Sequence, residues 1–201
     1  MVIAPDRLSS EEEAYFLPHV FNPSEQEARM DYTDIHGAHR EVPSSAVSQY
    51  VSRVRRVIRL MEEINDSAPE KEFILDMAKA LKIYNSIFRS LGNLGEAQDI
   101  RDRIAEKLSK TPHRPNKIPT WEGDPDLQKF NAVMRDELDN TQELIDLLED
   151  GGMEFISHAD GPKYEDTFLL GPDLIDQLKL KRKIMLYHWT DIEGYMATPF
   201  K

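Results

Sequence analysis

Four side chains near the N-terminus have the types a metal ion requires: Asp31, Asp34, His36 and His39. Two histidines three positions apart can share one helix face, and carboxylates supply hard oxygen ligands, so Asp34, His36 and His39 form the candidate metal set. Gly37 lies between the histidines in a proline-bounded stretch, and two surface histidines in a polar loop are the simpler reading. A second cluster is basic: Arg53, Arg55, Arg56 and Arg59. Arg53, Arg56 and Arg59 are the candidate anion-binding residues, and binding that weakens steeply with salt is what a nucleic acid held there would show. A solvated face, or pairing with the chain's own acids, explains the same arginines. A third group is aromatic. Tyr187 and Trp189, with Phe16 and Phe21, are candidate partner-binding residues, because aromatic side chains dominate interface hot spots.

Other chemistry finds no foothold. His19, His113, His158 and His188 are scattered. No serine occupies a Gly-x-Ser-x-Gly elbow. Gly92-x-x-Gly95 lies between helical stretches, and no Lys-Ser/Thr follows it, so it is not a phosphate loop. The chain has no cysteine, which removes thiolate zinc sites, disulfides and cysteine nucleophiles together and fits a reducing intracellular compartment. No catalytic residue is assigned, and no cofactor is expected.

The elements that must position these groups follow from composition and period. The 201 residues are 40% hydrophobic and 31% charged, enough for a core with a solvated surface. No apolar run approaches the ~18 residues that cross a bilayer, and no secretory signal pattern opens the chain. The net charge of −12 disfavours sequence-independent nucleic-acid binding, which depends on Lys and Arg. That charge is uneven. Residues 1–44 carry −6, 45–121 carry +4, 122–176 carry −13 and 177–201 carry +3. The acidic blocks either face the basic middle or present an acidic surface to a basic partner.

Residues 1–44, interrupted by four prolines, read as an extended N-terminal arm; residues 45–201 read as a single helical domain. Val47, Val51, Val54, Ile58 and Met61 predict a helix from about Ser45 to Asn65. Ser67 with Glu70 makes a capping box for a second helix, whose buried stripe is expected at Phe73, Ile74, Met77, Leu81, Tyr84 and Phe88. Gly92 is expected to end it, and Asn93 to cap a third helix with Leu94, Ala97, Ile100, Ile104 and Leu108 inward. Residues 109–124 read as a connector anchored by Trp121. Asp124-Pro125 starts a long helix with Leu127, Phe130, Met134, Leu138, Ile145 and Leu148 inward, stopped by Gly151-Gly152. Its outer side is expected to carry Asp136, Glu137, Asp139, Glu143 and Asp146. Residues 153–171 are a looped segment or short strands. A final helix from about Pro172 carries Leu178, Met185, Trp189 and Ile192.

The stretch Leu81, Tyr84, Asn85, Phe88, Gly92-Asn93-Leu94-Gly95-Glu96-Ala97 and Ile104 resembles a tetratricopeptide or pentatricopeptide repeat hairpin, over about residues 70–108. Gly92 and Ala97 stand where that family has its turn glycine and its close-packing alanine. Asn85 replaces the usual small residue and Arg101 the usual aromatic, and no second copy follows. The resemblance implies a helical surface that binds protein. The expected fold is therefore all-α, a helical bundle or short repeat-like hairpin stack. The expected role is a non-catalytic interaction subunit or adaptor, with other protein subunits as partners. A metal-binding helical protein or enzyme using His36 and His39 is the alternative.

Overall fold

A computed structural model describes residues 9–10, 44–110, 123–160 and 171–197. Of these, 82% are helical and none lies in a strand, so the fold is all-α. The expected arm with Phe16, Phe21, Asp34, His36 and His39, and the expected anchor Trp121, lie outside the described residues. The helices are α1 (Ser44–Glu62), α2 (Lys71–Lys110), α3 (Pro125–Glu149), α4 (Leu174–Tyr187) and α5 (Trp189–Ala197), with a 3₁₀ turn at Gly152–Phe155.

The first helix forms on the stripe its period predicts: Val51 and Ile58 are buried, and Val47, Val54 and Met61 half-buried. The next helix starts at Lys71, later than the capping box implied. Asn65 Oδ1 accepts from both the backbone N–H (2.9 Å) and the hydroxyl (2.8 Å) of Ser67. The serine hydroxyl is thus held by a local turn and does not cap.

The larger correction is at Gly92. Helix α2 runs through it without a break, so the stretch that resembles a repeat hairpin is one continuous helix. Glycine permits the left-handed turn but does not compel it, and among the described residues only Gly151 takes a positive φ, at 77°. What Gly92 provides is room: a Cβ there would lie 3.2 Å from Val47 Cγ1. Asn93 likewise does not cap. Its Nδ2 donates to Asp136 at 3.0 Å and to Glu137 at 2.8 Å. Glu137 is therefore buried, not part of the outward acidic face.

The long third helix forms as predicted. Asp124 Oδ1 accepts the backbone N–H groups of Asp126 (2.8 Å) and Leu127 (3.3 Å), capping the helix, while Gly151 provides the left-handed residue beyond its end. The possible strand at Met153–Ile156 is the 3₁₀ turn. The expected final helix is two, interrupted at His188, whose Nδ1 lies 3.0 Å from Asp191 Oδ2.

The chain divides into two compact units. One comprises the described residues of 93–138 and 183–201. Its core is Ala97, Ile100, Ile104, Leu127, Phe130, Met134, Leu138, Met185 and Ile192, with Val133 and Trp189 packed against it. Burying each large side chain contributes roughly 1.5–3 kcal/mol. The other unit comprises the described residues of 42–92 and 139–182, with a core of Ile83, Leu144, Leu148 and Ile156 flanked by Leu147, Met153, Leu174 and Leu178.

Basic residues of the middle segment meet the acidic segment inside each unit. Arg103 pairs with Asp126 at 3.0 Å in the first; Lys79 pairs with Asp150 at 2.8 Å and Arg89 with Glu143 at 2.8 Å in the second. Burial pushes the Asp126 carboxyl up, but hydrogen bonds from Lys107 and Arg103 outweigh it and hold the group below its ordinary value. The same contact raises Lys107.

Candidate functional site

The unit built on residues 42–92 and 139–182 carries two surfaces with chemistry, on opposite flanks of α1. Residues four apart on a helix share a face, so Arg55, Arg59 and Glu62 fall on one side of the buried Val51–Ile58 stripe. Tyr50 and Val57 fall on the other.

The first surface is a cleft of about 710 Å³ lined by α1, α2 and α3. Helix α1 contributes Arg55, Ile58, Arg59 and Glu62; α2 contributes Lys82, Asn85, Ser86 and Arg89; α3 contributes Asn140, Glu143, Asp146 and Leu147. Its rear wall is held by a hydrogen-bond network. Asn140, 1% exposed, donates from Nδ2 to the Ser86 carbonyl (2.8 Å) and to Ser90 Oγ (3.0 Å). Its Oδ1 accepts from Arg89 at 3.4 Å, and Arg89 also donates to Glu143 at 2.8 Å. Lys82 pairs with Glu62. One group is left over: Asn85 is only 6% exposed, and its Oδ1 has no hydrogen-bond partner. An unmet buried acceptor costs about 1–3 kcal/mol.

The second surface is apolar. Phe73, Met77, Tyr84 and Phe88, expected in the buried stripe, are exposed; Phe73 is 65% exposed. The buried positions of this half of α2 are Ala78, Ile83, Asn85 and Ser86. The helix is apolar on both sides, so period alone does not tell the inward face from the outward one. Tyr50 meets Phe88 edge-on at 4.8 Å, and Tyr84 Oη donates to the Phe155 carbonyl at 3.4 Å. Among the described residues, eight of the ten exposed large apolar side chains belong to α1 and α2 of this unit.

The predicted site residues are distributed unevenly over these surfaces. Arg59 lines the cleft, whereas Arg53 and Arg56 are exposed outside it. The cleft adds Arg55, a member of the basic cluster outside the anion-binding candidates, and Lys82, Arg89 and the asparagines, which residue type alone did not single out as site residues. The signal was present as two polar pairs, Asn85-Ser86 and Asn140-Thr141, at positions that both helices bury. In the other unit Tyr187 is 78% exposed at the end of α4. Trp189 packs against the core and donates from Nε1 to Glu193 at 2.6 Å. No group of three or more His, Asp or Glu side chains is arranged to hold a metal ion among the described residues; His36 and His39 are not among them. No helix among the described residues is long and apolar enough to cross a membrane. No protein-family model, curated protein or solved structure matches this chain.

Proposed function

We propose that this chain is an interaction subunit or adaptor that receives an amphipathic helix of a partner protein along the exposed face of α2. The supporting observation is the run Phe73, Met77, Tyr84, Phe88 and Leu91, large apolar side chains left exposed at spacings of four, seven, four and three. This is the spacing with which one helix grips another. From Phe73 to Leu91 the run extends roughly 27 Å, long enough for several turns of a partner helix. Glu72 and Asp76, exposed and making no ion pair among the described residues, border its first half. They fit a helix with basic residues beside its apolar stripe, as does the net charge of −12.

The test is co-purification from the native source with the pair Phe73→Glu and Met77→Glu beside the unaltered chain. Both positions are exposed, so the helical circular-dichroism signal is expected to stay. A stoichiometric partner should be lost from the double variant and kept by Arg53→Ala. A partner retained at full yield by the double variant contradicts the proposal.

A further inference from the structure

A helix laid on α2 leaves three exposed apolar side chains of α1 unused: Tyr50, Val57 and Leu60. We propose that the partner helix seats in a furrow between α1 and α2, gripped by these three on one side and by Met77, Tyr84 and Phe88 on the other. This rests on the partner-helix reading and adds the second wall of that site.

Tyr50, Arg53, Val57 and Leu60 follow one another at spacings of three, four and three, and all are exposed. They therefore form one row along α1. Tyr50 meets Phe88 edge-on at 4.8 Å, and a Cβ at Gly92 would lie 3.2 Å from Val47 Cγ1. Glu62, at the end of α1, still reaches Lys82. The two helices thus run antiparallel and adjacent, with the α1 row beside the α2 run. Val54 lies one turn from Tyr50, and Leu81 one turn from Met77 and from Tyr84; both are only half-buried and give the furrow an apolar floor. Two touching helices with apolar side chains on both walls present the groove into which a third helix packs.

The charges fit the same occupant. Asp76, Lys79 and Ile83 share one row of α2. Lys79 pairs with Asp150, and a Cβ at Gly152 would meet Ile83, so Asp76, with Glu72 one turn before it, stands on the flank away from α1. Basic residues of the incoming helix meet these two carboxylates there. Arg53 stands on the α1 wall, where its long stem adds apolar contact while the guanidinium stays in water.

The test measures binding of a synthetic helical peptide to the full chain by fluorescence anisotropy. The peptide is about 20 residues long, the length of the run, with leucine at spacings of three and four and lysine along one flank. A control peptide has glutamate in place of lysine. The lysine peptide should bind at least about tenfold more tightly than the control. Val57→Gln with Leu60→Gln, both exposed and both neutral changes, should weaken it about tenfold, and Phe73→Gln with Met77→Gln should weaken it at least as much. Arg53→Ala should change it by less than about threefold. If the Val57 and Leu60 pair binds as the unaltered chain does while the Phe73 and Met77 pair loses the peptide, the helix lies on α2 alone; the inference is then overturned and the partner-helix reading stands. If the Phe73 and Met77 pair also binds unchanged, that reading fails with it. No binding of the lysine peptide at millimolar concentration, or equal binding of the control, overturns the furrow as a site for a basic helix.

Discussion

Asn140 on α3 donates from its carboxamide to the main-chain carbonyl of Ser86 on α2, 2.8 Å away, at a position only 1% exposed. A helix carbonyl that also accepts from a side chain is a strong fixed point, because both partners are shielded from water. Asn140→Leu removes this bond together with those to Ser90 and Arg89, leaving buried polar groups unmet. Equilibrium denaturation should show a loss of about 1–3 kcal/mol. A loss well below that range would mean the network is not formed in solution.

The glycines of α2 test its continuity. In a helix interior, Gly95→Ala meets nothing within 4 Å and should raise stability by about 0.5–1 kcal/mol. Gly92→Ala, with its new methyl 3.2 Å from Val47 Cγ1, should gain less or lose. If Gly92-Gly95 were a turn between two helices, alanine at position 95 would not stabilise the protein, and the order of the two variants in thermal melts decides between the arrangements.

At the end of α3 the expectation reverses. A Cβ at Gly152 would lie 2.4 Å from the Leu147 carbonyl oxygen and 2.9 Å from Ile83 Cδ1. Gly152→Ala should cost about 2 kcal/mol through overpacking, and Gly151→Ala about 1 kcal/mol through its positive φ. Urea titrations of both variants would check this.

Acid should weaken the unit that contains Asp126. Its folded pKa is lowered, so the stabilisation is present above the unfolded value of about 3.9 and disappears as pH falls through the folded value. Lys107 has the opposite sign: its raised value gives stability present below about pH 10.4 and lost above the folded value. Asp126→Asn should remove both contributions, so its melting temperature changes less than that of the unaltered chain between pH 5 and pH 3.

Much of this fold is legible in the residues. The stripe of α3, the cap at Asp124 and the stop at Gly151 all appear where period and punctuation place them, because each signal there has one structural solution. Gly92 was ambiguous for a physical reason: glycine lowers the cost of a turn and also of close helix approach, and only the position of Val47 shows which operates. The inward face of α2 was ambiguous because Phe73, Met77, Tyr84 and Phe88 form as regular a stripe as the buried positions do. Asn85 and Ser86, polar yet buried, run against hydrophobicity as a guide to burial. They line the cleft, so the site was hidden by the same feature that makes it chemically distinctive.

Site-specific photo-crosslinking from a benzophenone side chain in place of Met77, in the native source, tests the central claim most directly. The account predicts one protein crosslinked through residues that map to a single amphipathic helix with basic flanks, and no such product when Phe73→Glu is added. Crosslinks only within this chain, only to a second copy of it, or to many proteins without a common helix would contradict it.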